Sequence, residues 1–275
     1  MNFGSRRRAV LLAIAGGAFA PTVTAASTTP YLQRDEVRQF IDELLAQHSF
    51  DRQRLERWFS NARYSPTVER LMQPSIPFGR RNWLEYRTRY LDEQRVQSGV
   101  QFWRTHRAAL DRAQQQYGVP AEIIVAIIGV ESTYGRITGN FRTLDVLATL
   151  SFDYLRRAEF YRQQLIDFLL LAREQNADPL TIKGSFAGAI GLPQFMPGSI
   201  RRYAVDFDGD GRVDLSNSAS DSIGSVASFL VAHGWQRDLP ILFDVQADES
   251  LVDAIEAWGR GIETGPTWSD AIGAG

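Results

Sequence analysis

Apolar residues recur at helical spacing along almost the whole chain, and the alternation that marks a half-buried strand is nearly missing. Residues 34–47 carry Val37, Phe40, Ile41, Leu44 and Leu45, an i, i+3, i+4, i+7, i+8 stripe that predicts an amphipathic helix. The same reading predicts helices over residues 52–63, 81–94, 100–117, 120–133, 156–175 and 221–233. Only 241–245 reads as a short strand. The fold class is therefore mainly α, with no internal repeat. Pro74, Pro77 and Gly79 interrupt the periodicity and set off an N-terminal helical lobe, 26–98, from a core over 99–235.

Composition narrows the function classes. A 275-residue chain with 44% hydrophobic residues can bury a substantial core. Its net charge of −2, without a Lys- or Arg-rich run, argues against a phosphate-tracking nucleic-acid protein. With no cysteine there are no disulfides, thiolate metal sites or lipid-modified cysteine, and three scattered histidines make a multi-histidine metal centre a poor expectation. Arg6, Arg7 and Arg8 precede an apolar stretch from Ala9 to Ala20 and the small-residue exit Val23-Thr24-Ala25, the pattern of a cleaved signal peptide over 1–25. That stretch is too short for a membrane-spanning helix. The expectation is export to the periplasm without a lipid anchor.

One glutamate stands out. The segment Glu122-Ile123-Ile124-Val125-Ala126-Ile127-Ile128-Gly129-Val130 is apolar nearly all round, which predicts a buried helix running from Ala121 to Tyr134 between Pro120 and Gly135. Glu131 falls three and four residues after Ile128 and Ile127, on their stripe, and in the last turn, where the helix dipole disfavours an anion. Both effects raise a carboxyl pKa, as a general acid requires. The alternative is a Glu turned to solvent or paired with Arg136. A second segment, residues 185–197, packs three glycines and two prolines among apolar residues around Ser185 and Gln194. It reads as a close approach of backbone to a ligand, or as a tight interhelical turn.

Glu131-Ser132-Thr133-Tyr134-Gly135, followed by Gly188-Ala189-Ile190-Gly191-Leu192-Pro193-Gln194-Phe195-Met196-Pro197, resembles the B-type lytic murein transglycosylases. Residues 83–87, 117–120, 147–152 and 203–207 are similar to that family as well. The resemblance implies a lysozyme-like core acting on peptidoglycan glycan strands, with Glu131 as sole acid/base. It implies cleavage of the MurNAc-GlcNAc bond with formation of a 1,6-anhydro sugar. Ser185 and Gln194 match positions lining the site, and Tyr86 a position in the glycan groove; Tyr134 is the other aromatic expected to stack on sugar. Asp145 and Asp153 are nearby acids in sequence that a lysozyme-type hydrolysis would recruit, although Asp145 reads first as a helix cap or brace and spacing alone places neither. Further expectations are a monomer, cell-wall synthesis or hydrolysis complexes as partners, and no organic cofactor.

The stretch Asp206-Phe207-Asp208-Gly209-Asp210-Gly211-Arg212-Val213-Asp214 has the EF-hand-like spacing of a calcium loop. It offers carboxylates at loop positions 1, 3, 5 and 9, glycine at 6 and the Arg212 carbonyl at 7. Position 12 is Asn217, and the resemblance assigns the closing acid to Asp221, giving a structural Ca²⁺ loop over 206–221. The alternative is an empty Asp/Gly turn. Phe229 stands where the family has a tyrosine assisting the glutamate. Residues 236–275 read as a truncated or divergent tail, which leaves open a peptidoglycan- and calcium-binding module without turnover.

Overall fold

The computed structural model describes residues 29–73, 87–88 and 90–241. The chain divides into two compact units, Met1–Trp235 and Gln236–Gly275. In the first, a 3-10 turn (Tyr31–Gln33) leads into α1 (Asp35–His48), α2 (Arg52–Asn61) and α3 (Pro66–Met72). Then come α4 (Glu93–Thr105), α5 (Arg107–Tyr117), α6 (Ala121–Ser132), α7 (Thr143–Phe152), α8 (Ala158–Glu174), α9 (Pro197–Tyr203) and α10 (Ala219–Ala232). Two-residue strands β1 (Phe141–Arg142) and β2 (Lys183–Gly184) pair antiparallel, Phe141 opposite Gly184. Among the described residues this is the only sheet.

Local sequence explains the starts. Asp51, Ser65, Asp92 and Ser218 each accept a backbone N–H three residues on, capping α2, α3, α4 and α10. The core is built around α7, whose Leu144, Val146, Leu147 and Leu150 are fully buried, packed along α8. Helix α9 sits on α8, and α10 packs against α5 and α6.

Most predicted helices appear, with revised edges. The 100–117 prediction divides at His106, whose φ of −110° and ψ of 22° end α4 and start α5. Helix α6 stops at Ser132, two residues early, because Thr133 and Tyr134 turn left-handed. Helices α3, α7 and α9 were not predicted; α7 is buried on nearly every side and shows no stripe. Residue 98, the expected lobe boundary, lies within α4. The signal peptide, Tyr86 and nearly all of the 241–245 strand and the tail lie outside the described residues. No helix of the described residues is long and apolar enough to cross a membrane.

The N-terminal turn is tied to the core by a buried polar cluster. Arg34 donates to Asp153 at 2.7 Å, with the two side chains only 5% and 7% exposed. The Tyr31 hydroxyl donates to Asp153 at 2.6 Å and lies 3.3 Å from the Thr149 hydroxyl. Burial and the neighbouring carboxylate raise the Tyr31 pKa far above its ordinary value.

Candidate active site

Helix α6 is not buried all round. Ile124 and Ile128 are fully buried, but Ile123 and Ile127 are half-buried and Ala126, Val130 and Glu131 are exposed. Glu131 does share a stripe with Ile127, as the spacing requires, yet the stripe is an open apolar face. Periodicity says which residues share a face; whether a neighbour covers that face depends on tertiary packing. Among the described residues the Glu131 carboxylate has no recorded hydrogen bond or ion pair, with Arg136 or otherwise. Although it reaches solvent, enough protein surrounds it that desolvation raises its pKa above the ordinary glutamate value.

The exit of α6 is strained and heavily braced. Thr133, Tyr134 and Gly135 have φ of 51°, 59° and 87°. A left-handed non-glycine residue costs roughly 1–2 kcal/mol, so two in succession persist only where their surroundings fix them. Ser132 Oγ accepts the Gly135 N–H at 2.9 Å, and the Ile137 N–H donates to Ser132 O at 2.8 Å. The stretch then runs against the glycine-rich segment. Gly135 packs on Leu192, and Gly139 (φ 93°) approaches the Gly184–Ser185 backbone so closely that a Cβ would collide with it.

Ser185 and Gln194 are both part of this seam. Half-buried Ser185 accepts the N–H groups of Ala187 and Ala189 at 3.3 and 3.1 Å, leaving its hydroxyl hydrogen free to donate. The Gln194 amide donates to Thr138 O at 3.1 Å and Gly191 O at 2.8 Å, which leaves its carbonyl oxygen as the available acceptor. The segment is both a tight turn and a wall beside the end of the Glu131 helix. The Tyr134 hydroxyl is wedged between α4 and α6, and desolvation raises its pKa against a smaller lowering by Arg95. Sequence reasoning missed Arg95, Gly99 and Gly129; the signal for Gly129 was a glycine inside an otherwise unbroken apolar helix.

The two further acids are committed elsewhere. Asp145 accepts from Arg142 through both oxygens, at 2.7 and 2.9 Å, and from the Arg63 N–H at 2.9 Å. Asp153 belongs to the buried cluster with Arg34 and Tyr31. Phe229 stacks on His233 at 3.9 Å and packs against Phe195 and Tyr203 at 5.1 and 5.4 Å.

The 206–221 loop brings the carboxylate oxygens of Asp206, Asp208 and Asp210 within 4.8 Å of one another, all three residues exposed. Such a set of hard oxygens fits Ca²⁺, since three crowded carboxylates repel without a cation. Asp206 is oriented by the N–H groups of Gly209 and Gly211, Asp210 by that of Arg212, and Asp208 by the Ser218 hydroxyl. Asp221 is buried outside this cluster. Its oxygens accept N–H bonds from Phe207 (2.8 Å), Asp208 (3.3 Å) and Asp214 (2.8 Å), so it braces the loop's backbone. The loop also reaches the seam: the Leu215 carbonyl accepts the Leu192 N–H at 2.8 Å. A cavity of about 1040 Å³ beside the loop, lined by Thr138, Lys183, Arg201 and Asp214 among others, does not include Glu131.

The helical core thus sets a glutamate, unpaired among the described residues and with its pKa raised, at the end of a helix whose exit packs on a glycine-rich turn. The chain belongs to the transglycosylase SLT domain family, which matches residues 32–271 and so runs past Trp235, where the motif resemblance stops. It is 49% identical over 217 residues to membrane-bound lytic murein transglycosylase B of Escherichia coli K12, covering 75% of this chain and 59% of that protein. The chain therefore spans less than two thirds of that relative's length. Lytic transglycosylase SltB1 of Pseudomonas aeruginosa superposes with a TM-score of 0.77 at 44% identity, over 82% of this chain and 74% of that one. The E. coli lytic transglycosylase Slt35 in complex with calcium gives a TM-score of 0.70 at 46% identity, over 82% and 74% of the two chains.

Proposed function

We propose that this chain is a peptidoglycan lytic transglycosylase with Glu131 as its single acid/base. The observation that carries the proposal is a carboxyl with raised pKa and no ionic partner among the described residues, while Asp145 and Asp153 are each held by an arginine. Protonated Glu131 gives its proton to the glycosidic oxygen between MurNAc and GlcNAc, and the C1–O bond breaks. The resulting carboxylate takes the proton of the muramic C6 hydroxyl, whose oxygen closes on C1. The product is a 1,6-anhydro end, no water is consumed, and Glu131 returns to its acid form. A hydrolase of the paired-carboxylate type needs a second acid, and neither Asp145 nor Asp153 is free to serve. Ser185 donates its hydroxyl hydrogen to the glycan, and Gln194 accepts a glycan hydroxyl at its carbonyl oxygen; Tyr86 completes the proposed substrate residues. Glycan strands reach the protein in the periplasm, after export by the 1–25 signal, and the protein acts as a monomer.

Mass spectrometry of soluble products from isolated sacculi tests the reading. Anhydro-muropeptides are expected; reducing muramic ends would mean a hydrolase, and no release a binding module.

We assign Ca²⁺ to Asp206, Asp208, Asp210 and the Arg212 carbonyl, in a structural role, with Asp221 bracing the loop's backbone from outside the cluster. The relative Slt35 is known in complex with calcium. Through Leu215 the ion would steady the turn that carries Gln194. At a hundredfold excess over Kd, binding to the folded state alone adds about 2.7 kcal/mol, or roughly 5–10 °C in Tm for a protein of this size. Calorimetry with Ca²⁺ against Mg²⁺ should show that rise, and Asp208→Ala should remove it. A melting curve indifferent to Ca²⁺ would refute the assignment.

A further inference from the structure

We infer that Tyr134 is a positioning residue for Glu131, acting as a wedge whose seat is formed by Gly99 on α4 and Gly129 on α6. The inference rests on the proposed role of Glu131 as the acid. The Tyr134 ring packs on Phe102 of α4 with centroids 5.4 Å apart, and Phe102 packs in turn on His106 at 4.6 Å. A Cβ added at either glycine would fall closer than 3.0 Å to the Tyr134 hydroxyl oxygen. Neither glycine has a positive φ, so space, not backbone conformation, calls for glycine at these positions.

Gly129 lies two residues before Glu131, about 200° around the helix, so the wedge bears on the side of α6 away from the catalytic face. Tyr134 lies three residues after Glu131 and is itself left-handed. Its seat therefore fixes both the back of the last helical turn and the strained exit that ends it. Displacing the ring frees that exit to relax toward commoner backbone angles, and the turn holding the Glu131 carboxyl moves with it. This use of Tyr134 differs from sugar stacking: its ring is engaged with α4, and its hydroxyl is enclosed by two helices.

The geometry separates the two glycines. Once the hydroxyl oxygen is removed, the nearest ring atom, Cζ, lies 3.1 Å from a Cβ at Gly99 but 2.7 Å from one at Gly129. The first is a tight contact that a small shift relieves; the second remains a collision.

The test is a pair of double-mutant cycles on the full chain, with kcat and KM measured on sacculi and melting curves to confirm folding. In the wild-type background Gly99→Ala should cut kcat on the order of tenfold with KM changed less than about twofold, the signature of a misplaced acid. In the Tyr134→Phe background the same substitution should cost less than about twofold in kcat, whereas Gly129→Ala should remain costly. If Gly129→Ala does not fold, the Gly99 cycle decides alone. An equal loss from Gly99→Ala in both backgrounds, or no loss in either, overturns the inference. Crystal structures of Gly99→Ala and its double variant give a reading independent of turnover. The Glu131 carboxyl should move by about 1 Å in the first and return in the second; an unmoved carboxyl overturns the wedge. If the wild type releases no product, the transglycosylase reading fails and these structures still judge the positioning.

Discussion

Glu131→Gln is expected to lower the release of anhydro-muropeptides by on the order of 10²- to 10⁴-fold, the usual contribution of a positioned general acid, while leaving the melting temperature unchanged. The amide keeps the size of the carboxyl and cannot supply the proton. Folding should not suffer, because the carboxylate has no recorded ionic or hydrogen-bonding partner among the described residues. The wild-type pH profile carries a second expectation. Glu131 must be protonated to act, so kcat/KM falls as pH rises through its free-enzyme pKa. Desolvation has raised that pKa, so the falling limb should lie at higher pH than a fully solvated glutamate would give. Residual turnover of the variant within tenfold of wild type, or an unchanged falling limb in that variant, would assign the proton to another group.

The helices that the sequence disclosed are those that bury one side. In α1, Val37, Phe40, Ile41 and Leu44 stand at helical spacing and all four are buried. Helix α7 escaped because Leu144, Val146, Leu147 and Leu150 are buried among equally buried Ala148 and Thr149, so no polar face marks its period. Glu131 was legible as a chemical oddity, a carboxyl among isoleucines in a last turn. The openness of its face was not legible, since it depends on which elements pack against α6. The wedge could not be read at all: Gly99, Gly129 and Tyr134 meet only when α4 crosses α6. The same holds for Asp221, whose three backbone N–H partners come from residues 207, 208 and 214. Within the loop itself, the spacing of Asp206, Asp208 and Asp210 did foretell the clustering of their oxygens.

The pairing of Arg34 with Asp153, 119 residues apart, leads to the largest stability change expected from a single substitution. Asp153→Asn keeps the shape but removes the negative charge that lies 2.7 Å from a guanidinium only 5% exposed. Arg34 retains its bond to Thr29 O at 3.0 Å and its position over the Tyr31 ring at 4.3 Å, contacts with a neutral carbonyl and a neutral ring. Breaking one side of a buried pair costs about 3–5 kcal/mol, equivalent to a fall of roughly 6–20 °C in Tm for a chain of this size. Replacing both partners together, as in Arg34→Met with Asp153→Leu, should cost distinctly less, because no charge is then left buried. Turnover of Asp153→Asn well below its melting point should stay near wild type, since this cluster holds the N-terminal turn on α7 and Glu131, the proposed acid, sits on α6. A folded Asp153→Asn protein that has lost cleavage would instead make Asp153 a second catalytic acid and restore the hydrolytic scheme. If that variant melts where the wild type does, Arg34 must reach another counter-charge or water, and the N-terminal turn would not be fastened by this pair.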